Sequence, residues 1–112
     1  MDNLDALLHQ PLRTQIAAYL AGSGEAAFSE LRRELAVSDG NLESHLKKLI
    51  AAGYVAVRKE SGEGRPQSYY ALTETGLDAL RAYVAALQRL LAFDKTESAS
   101  PLFGMLRPDA AM

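Results

Sequence analysis

The chain has 112 residues, 48% of them hydrophobic, and a net charge of −2. This length suits one folded domain with a modest core, and the charge gives no general attraction to nucleic acid, so any such binding must depend on local basic groups. The absence of cysteine excludes disulfides and thiolate metal sites. Because the chain also lacks a secretion signal and an apolar run of roughly 20 residues, we expect a cytoplasmic protein with no membrane partner.

Two short helices are predicted at the N-terminus. The first spans residues 3–9, and the second begins at Pro11, where the missing N–H of proline costs nothing. This part of the chain has more leucine than a small core needs, so we expect some of it to contact a second subunit. The leucines assigned to that interface are Leu4, Leu7 and Leu8.

A helix-turn-helix is predicted between residues 28 and 52. Ser29 is suited to cap a first helix of about two turns. Only two or three residues then precede a second helix, and so tight a connection is typical of this motif.

The second helix, about residues 39–52, has two contrasting faces. Ser38 and Asp39 can cap its start, and Gly53 is suited to its end. Its apolar face consists of Leu42, Leu46, Leu49 and Ile50. Its opposite face is small and polar, with two cations, and consists of Gly40, Asn41, Ser44, Lys47, Lys48 and Ala51.

That polar face can enter the major groove of DNA. Asn41 can pair with adenine, Ser44 can hydrogen-bond several bases, and Lys47 or Lys48 can reach guanine or phosphate. The alternative is the ordinary solvated side of an amphipathic helix.

Two β-prone runs follow, separated by the turn formers of residues 61–66. They predict a β-hairpin whose basic side chains are Arg58, Lys59 and Arg65. A basic hairpin behind a helix-turn-helix is the arrangement of a winged helix, with a wing of about residues 58–67. The alternative is a plain edge ribbon with ordinary surface charge.

Thr73 can cap a long helix that runs to about residue 93. Its apolar residues alternate by three and four, which favours packing between two subunits; the alternative is that they cover the domain's own core. The seam consists of Leu77, Leu80, Val84, Leu87 and Leu91. A two-fold dimer would place two reading helices about one DNA turn apart on a palindromic site.

Residues 94–112 lose this periodicity and predict a flexible tail. The alternatives concern a small apolar cluster within the tail, which is a candidate for a docking peptide or for a segment that folds back on the domain. It consists of Leu102, Phe103, Met105 and Leu106.

Residues 4–93 resemble bacterial winged-helix transcriptional regulators, in particular the small single-domain type related to the ArsR and MarR families. The resemblance rests on S-D-G-N-L-x-S-H-L-x-x-L-x-x-A-G-Y-V from Ser38 and on a hairpin leading into Y-x-L-T-x-x-G. It implies an α+β fold, mainly α with a small β-hairpin: a winged helix-turn-helix domain over residues 1–93, with a long C-terminal dimerisation helix. It also implies a homodimer that binds palindromic operator DNA, usually as a repressor. With Arg32 added from a local basic pair, the residues assigned to DNA are Arg32, Ser38, Gly40, Asn41, Ser44, Lys47, Lys48, Arg58, Lys59 and Arg65.

Neither a metal site nor an enzyme active site is predicted. Many ArsR-like proteins sense metals through cysteine or clustered histidine and aspartate, whereas this chain has two isolated histidines, His9 and His45. Residues 62–64 lack the remaining glycine and the strand-helix setting of a dinucleotide loop, and no serine and histidine are joined into a nucleophile-base pair. We therefore expect no cofactor.

Two further questions stay open from the sequence. A winged helix whose main partner is another protein is the rival to a DNA-binding regulator. A small-molecule or protein effector is a further candidate partner, with Tyr19 and Tyr83 as candidate pocket residues, although both are more simply explained as core or interface aromatics.

Overall fold

The computed structural model describes residues 4–62 and 64–94, and within these ranges the chain forms four helices and a three-stranded sheet. The elements in chain order are α1 (Pro11–Ser23), β1 (Ala26–Ala27), α2 (Phe28–Leu35), α3 (Asp39–Ala51), β2 (Val55–Glu60), β3 (Gln67–Leu72) and α4 (Glu74–Asp94). The predicted α+β fold is confirmed: a helix-turn-helix, a hairpin and a long final helix follow one another. The predicted tail lies outside the described residues except for Asp94, which ends α4.

The helix predicted over residues 3–9 is wrong, because the described part of this segment forms a single turn. Asp5 Oδ1 accepts hydrogen bonds from the N–H groups of Leu7 (2.8 Å) and Leu8 (3.2 Å). The turn cannot continue as a helix because Gln10 precedes Pro11 and is extended, with φ −146° and ψ 124°. Gln10 instead caps α1, as its side chain accepts from the N–H of Arg13.

The helix-turn-helix differs from the prediction at the start of α2. This helix begins at Phe28, and its N-cap is Ala27 rather than Ser29, with no side-chain hydrogen bond. The reason is the strand β1, which pairs with β3 and leads directly into the helix. The start of α3 is as predicted, because Ser38 Oγ accepts from the N–H of Asn41 at 3.2 Å.

The sheet has the order β1-β3-β2, and both pairings are antiparallel. The pairs of β2 and β3 run from Val55 opposite Leu72 to Glu60 opposite Gln67. Successive side chains of a strand point to opposite faces. The face with Val55 and Leu72 packs against the helices, and the other face is turned to solvent.

The helices pack around a core made of their apolar faces. The largest side chains with less than 2% exposure are Leu8, Ile16, Leu20, Leu31, Leu42, Leu46 and Leu49. This corrects two assignments to the dimer interface, because Leu8 (1% exposed) and Leu80 (8%) fill the domain's own core and offer no surface to a second subunit.

A hydrogen-bonded junction holds the start of α4 against the end of α3. Thr73 donates its N–H to the carbonyl of Tyr54 (3.0 Å) and its hydroxyl to that of Gly53 (2.5 Å). Thr73 Oγ1 also accepts from the N–H of Gly76 at 2.9 Å, which confirms the predicted cap. Gly76 lies directly on the Tyr54 backbone, and only a residue without a Cβ fits there.

Across the described residues, no helix is both long enough and apolar enough to serve as a membrane span.

Candidate nucleic-acid interface

The face of α3 that the sequence assigns to DNA is exposed along its whole length. The buried leucines at positions 42, 46 and 49 anchor the helix in the core and turn the opposite side outward. A shallow depression of about 470 Å³ runs along this outer side. It is lined by Gly40, Glu43, Ser44, Lys47, Lys48 and Ala51. All these side chains are small or flexible, so a duplex can approach the helix closely.

A second groove, of about 550 Å³, lies between α2, the start of α3 and the hairpin. It brings together Arg32, Lys59 and Arg65, which are far apart in sequence, with the carboxylates of Asp39 and Glu43. The groove is continuous with the reading face because Glu43 lines both depressions. A nucleic-acid strand that crosses from α3 to the hairpin would pass over this groove.

Two of these cations, Arg32 and Lys47, form exposed ion pairs, and such pairs are weak. Arg32 Nη1 lies 3.4 Å from Asp39 Oδ1, and Lys47 Nζ lies 3.8 Å from Glu43 Oε2. Exposed pairs of this kind are worth at most about 1 kcal/mol. A phosphate can therefore compete for both side chains.

Glu43 lines both depressions of this candidate interface, although the sequence did not point to it. Its side chain is 61% exposed and borders the polar face. Its negative charge is opposite to that of a phosphate contact, but a carboxylate can accept a hydrogen bond from the amino group of cytosine. Its position on the flank between Gly40 and Lys47 is the signal that could have identified it.

Arg58 lies apart from the other basic residues of the hairpin. Its guanidinium donates to both carboxylate oxygens of Glu25 (3.0 and 3.1 Å) and to Glu60 (3.0 Å). It also lies 4.6 Å above the ring centre of Tyr69. The hydrogen bonds to Glu25 and Glu60 raise the pKa of Arg58. The bond between Arg58 and Glu25 also lowers the pKa of the Glu25 carboxyl. The structure thus places Arg58, a predicted phosphate contact, in an intramolecular ion-pair network at the surface.

His45, on the flank of α3, connects this helix to the N-terminal turn. Its Nδ1 lies 2.9 Å from Arg13 Nη1, and Arg13 Nε donates to the carbonyl of Leu7 at 2.6 Å. Burial, followed by the positive charges of Arg13 and Lys48, lowers the pKa of His45. Because a guanidinium can only donate, His45 Nδ1 accepts from Arg13, and this bond helps to hold α3 in place.

The two tyrosines considered as pocket residues hold elements of the domain together. Tyr19 donates to Glu30 Oε2 at 2.5 Å and joins α1 to α2. Tyr83 is 6% exposed, and its hydroxyl lies 2.8 Å from His9 Nδ1, which joins α4 to the N-terminal turn. In the described part of the chain, no three His, Asp or Glu side chains are grouped closely enough to hold a metal ion.

Comparison with known proteins gives three kinds of match. A family model described as a winged helix DNA-binding domain matches residues 12–91. An uncharacterised protein of Methanocaldococcus jannaschii, MJ0432, is 33% identical over 84 residues, which cover 75% of this chain and 91% of that protein. A transcriptional regulator homologue from Pyrococcus horikoshii OT3 superimposes with a TM-score of 0.73 at 27% identity, over 76% of this chain and 84% of the other.

Two further solved structures connect the chain to the predicted relatives. A "possible transcriptional regulator for arsenical resistance" is 31% identical, with a TM-score of 0.59 over 77% of this chain and 90% of the other. An ArsR family transcriptional regulator, RHA00566, shares the fold at 24% identity and a TM-score of 0.51, over 76% of this chain and 82% of the other. The predicted resemblance to winged-helix regulators is confirmed, and the relatives include archaeal as well as bacterial proteins.

Proposed function

Because the chain belongs to the winged helix DNA-binding domain family, we propose that it is a sequence-specific transcriptional regulator that binds its operator as a homodimer. The family and the fold are those of transcriptional regulators and not of enzymes. The observation that carries the proposal is the outer face of α3, which is polar, exposed and free of bulky apolar groups. Such a regulator would act in the cytoplasm, where a bacterial or archaeal chromosome lies.

In this proposal α3 lies in the major groove. Asn41 and Ser44 contact base edges, and Gly40 allows close approach of the backbone. Lys47 and Lys48, one turn further along, meet phosphates. Ser38 remains at the start of the helix, where it caps the first turn and fixes the position of Asn41.

The hairpin contributes phosphate contacts from its side of the protein groove that lies between α2, the start of α3 and the hairpin. Lys59 and Arg65 line the groove from the hairpin side, and Arg32 lines it from α2. None of the described residues forms an ion pair with Lys59 or Arg65, so both can neutralise a phosphate without breaking an existing contact. A sugar-phosphate strand between α3 and the hairpin would meet all three cations.

The end of α4 supports a homodimer. Its last described side chains, residues 88–92, are all exposed, so this part of the helix extends beyond the domain's own core. Large apolar side chains of α4 remain uncovered, with exposed fractions of 43% for Val84, 42% for Leu90 and 53% for Leu91. The partly buried side chains that accompany them in the proposed interface are Leu4, Leu7, Leu77 and Leu87. A second copy packed on this surface would bring two α3 helices to one palindromic site.

Repression is the simplest consequence of such binding. A dimer seated on both half-sites of an operator covers about two turns of the duplex. If that operator overlaps a promoter, the bound dimer excludes the polymerase.

The experiment that tests the proposal is selection of duplexes from a random pool, followed by affinity measurements on the selected and a scrambled duplex. We expect the wild type to prefer the selected palindrome, and Asn41→Ala to lose on the order of 1–3 kcal/mol of that preference per half-site. Arg65→Ala is the matched control, because loss of a phosphate contact weakens binding to both duplexes alike.

Equal losses on both duplexes for Asn41→Ala would argue against its role in reading bases. If the wild type retains no duplex even at low salt but forms a stable complex with another protein, the main partner of this winged helix is a protein.

A further inference from the structure

Arg58 and its neighbour Lys59 point to opposite faces of the sheet. Successive residues of a strand alternate in this way, and the groove between the hairpin and α3 is lined by Lys59 but not by Arg58. Lys59 is paired in register with Ser68, which also lines the groove. Arg58 is paired with Tyr69 and shares the solvent face with it. Two adjacent cations of one strand therefore have different surroundings.

The Arg58 side chain reaches across the whole width of the sheet. Tyr69 lies on the central strand β3, opposite Arg58 on one side and opposite Ala27 of β1 on the other. Glu25 lies two residues before Ala27. Since Arg58 meets Glu25 over the ring of Tyr69, the guanidinium connects the outer strand of the hairpin to the start of β1.

The charges of this cluster oppose a phosphate. Arg58 contributes one positive charge, whereas Glu25 and Glu60 contribute two negative charges within hydrogen-bonding distance of it. Three of its five N–H groups are already donated to these carboxylates. A phosphate would find only the two remaining N–H groups and would approach a cluster of net charge −1.

Building on the proposed DNA-binding function, we propose that Arg58 is a positioning residue of the wing. It ties the hairpin to β1 through Glu25 and thereby holds Lys59 and Arg65 towards the groove, without contacting DNA itself. In this proposal Arg58 is not a phosphate contact, in contrast to the sequence-based prediction. Of the predicted hairpin cations, it leaves Lys59 and Arg65 as the DNA contacts.

The salt dependence of DNA binding distinguishes the two roles. Each phosphate contact contributes about −0.9 to the slope of log affinity against log salt. Because a homodimer carries each substitution twice, we expect Lys59→Ala and Arg65→Ala each to flatten this slope by about 1.8. Arg58→Ala should weaken binding about two- to fivefold, the size expected for a surface ion-pair network, with the slope unchanged. A slope that flattens by about 1.8 in Arg58→Ala, as loss of two phosphate contacts per dimer requires, would overturn the proposal.

A charge exchange provides the second measurement. Arg58→Glu and Glu25→Arg should each weaken DNA binding, and the double variant should recover most of the loss because the ion pair is restored with reversed polarity. A phosphate contact at Arg58 predicts no recovery. The melting temperature of each variant shows that the domain remains folded.

Hydrogen exchange of the free protein separates this proposal from the proposed function. Amide protons of β2 should exchange faster in Arg58→Ala and Glu25→Gln than in the wild type, whether or not the protein binds DNA. If the wild type binds no duplex but these amides respond, the DNA-binding function is wrong and the tie across the sheet stands. Exchange rates equal to those of the wild type would refute the positioning role.

Discussion

Gly76→Ala is expected to destabilise the domain by about 3 kcal/mol or more. A Cβ at this position would lie 2.1 Å from the carbonyl oxygen of Tyr54, 2.8 Å from its carbonyl carbon and 2.9 Å from its Cα. All three are backbone atoms, so no side-chain rotation relieves the overlap. The same carbonyl accepts the N–H of Thr73, and α4 must therefore move away from α3 and lose its cap. Chemical denaturation at fixed protein concentration measures the loss.

Gly22→Ala is the matched control for this change. Gly22 lies within α1, and no atom lies within 4 Å of a Cβ built there. Because alanine favours a helix over glycine by up to about 1 kcal/mol, this variant should be as stable as the wild type or more stable. A Gly76→Ala protein that unfolds at the same denaturant concentration as Gly22→Ala would show that α4 is not docked on Tyr54 as described.

The double variant Val84→Glu, Leu91→Glu is expected to be a monomer at concentrations where the wild type is a dimer. Both side chains are apolar and about half exposed in the single chain. A dimer over this surface would bury four unpaired carboxylates, and each buried unpaired charge costs several kcal/mol. We therefore expect the dissociation constant of the dimer to rise by about a thousandfold or more. Analytical ultracentrifugation over a concentration series measures it.

Ala82→Glu is the control on the same helix. Ala82 is exposed and lies about half a turn round α4 from Leu91. This variant should dimerise as the wild type does, and its affinity for a palindromic duplex should be unchanged. If the double variant remains a dimer, or if Ala82→Glu dissociates as well, the interface lies elsewhere.

The reading helix could be predicted closely from the sequence because its determinants are local. Ser38 caps the start of α3, the backbone at Gly53 has the positive φ (81°) that favours glycine just after a helix, and the leucines between them repeat at helical spacing. The hairpin and α4 could also be predicted, because each is specified by residues close to it in the sequence.

The errors at β1 and at the start of α2 lie where a distant contact decides the local structure. β1 consists of two alanines, which have little β-propensity, and exists because Tyr69 and Tyr70 of β3 pair with it. That pairing also places the N-cap of α2 at Ala27 rather than at the predicted Ser29. Local sequence gives no sign of a strand whose partner is more than 40 residues away.

The same limit applies to the candidate site. Arg58 has the residue type of a phosphate contact, but its main partner, Glu25, is 33 residues earlier in the chain. The leucines Leu8 and Leu80 have the spacing of an interface, but packing places both in the core. Residue type and spacing indicate which side chains can act, and only the tertiary contacts separate those that face a partner from those that stabilise the domain.

Site-specific cross-linking tests most directly whether the outer side of α3 meets the duplex. Because the chain has no cysteine, Ser44→Cys carries a photoreactive group at one position only, and Ala82→Cys provides the comparison on the exposed side of α4. On a duplex that the protein selects, the probe at residue 44 should cross-link to major-groove bases at two positions about one helical turn apart, and the probe at residue 82 should not. Binding of the duplex without cross-links from residue 44, or with equal cross-links from residue 82, would contradict the account.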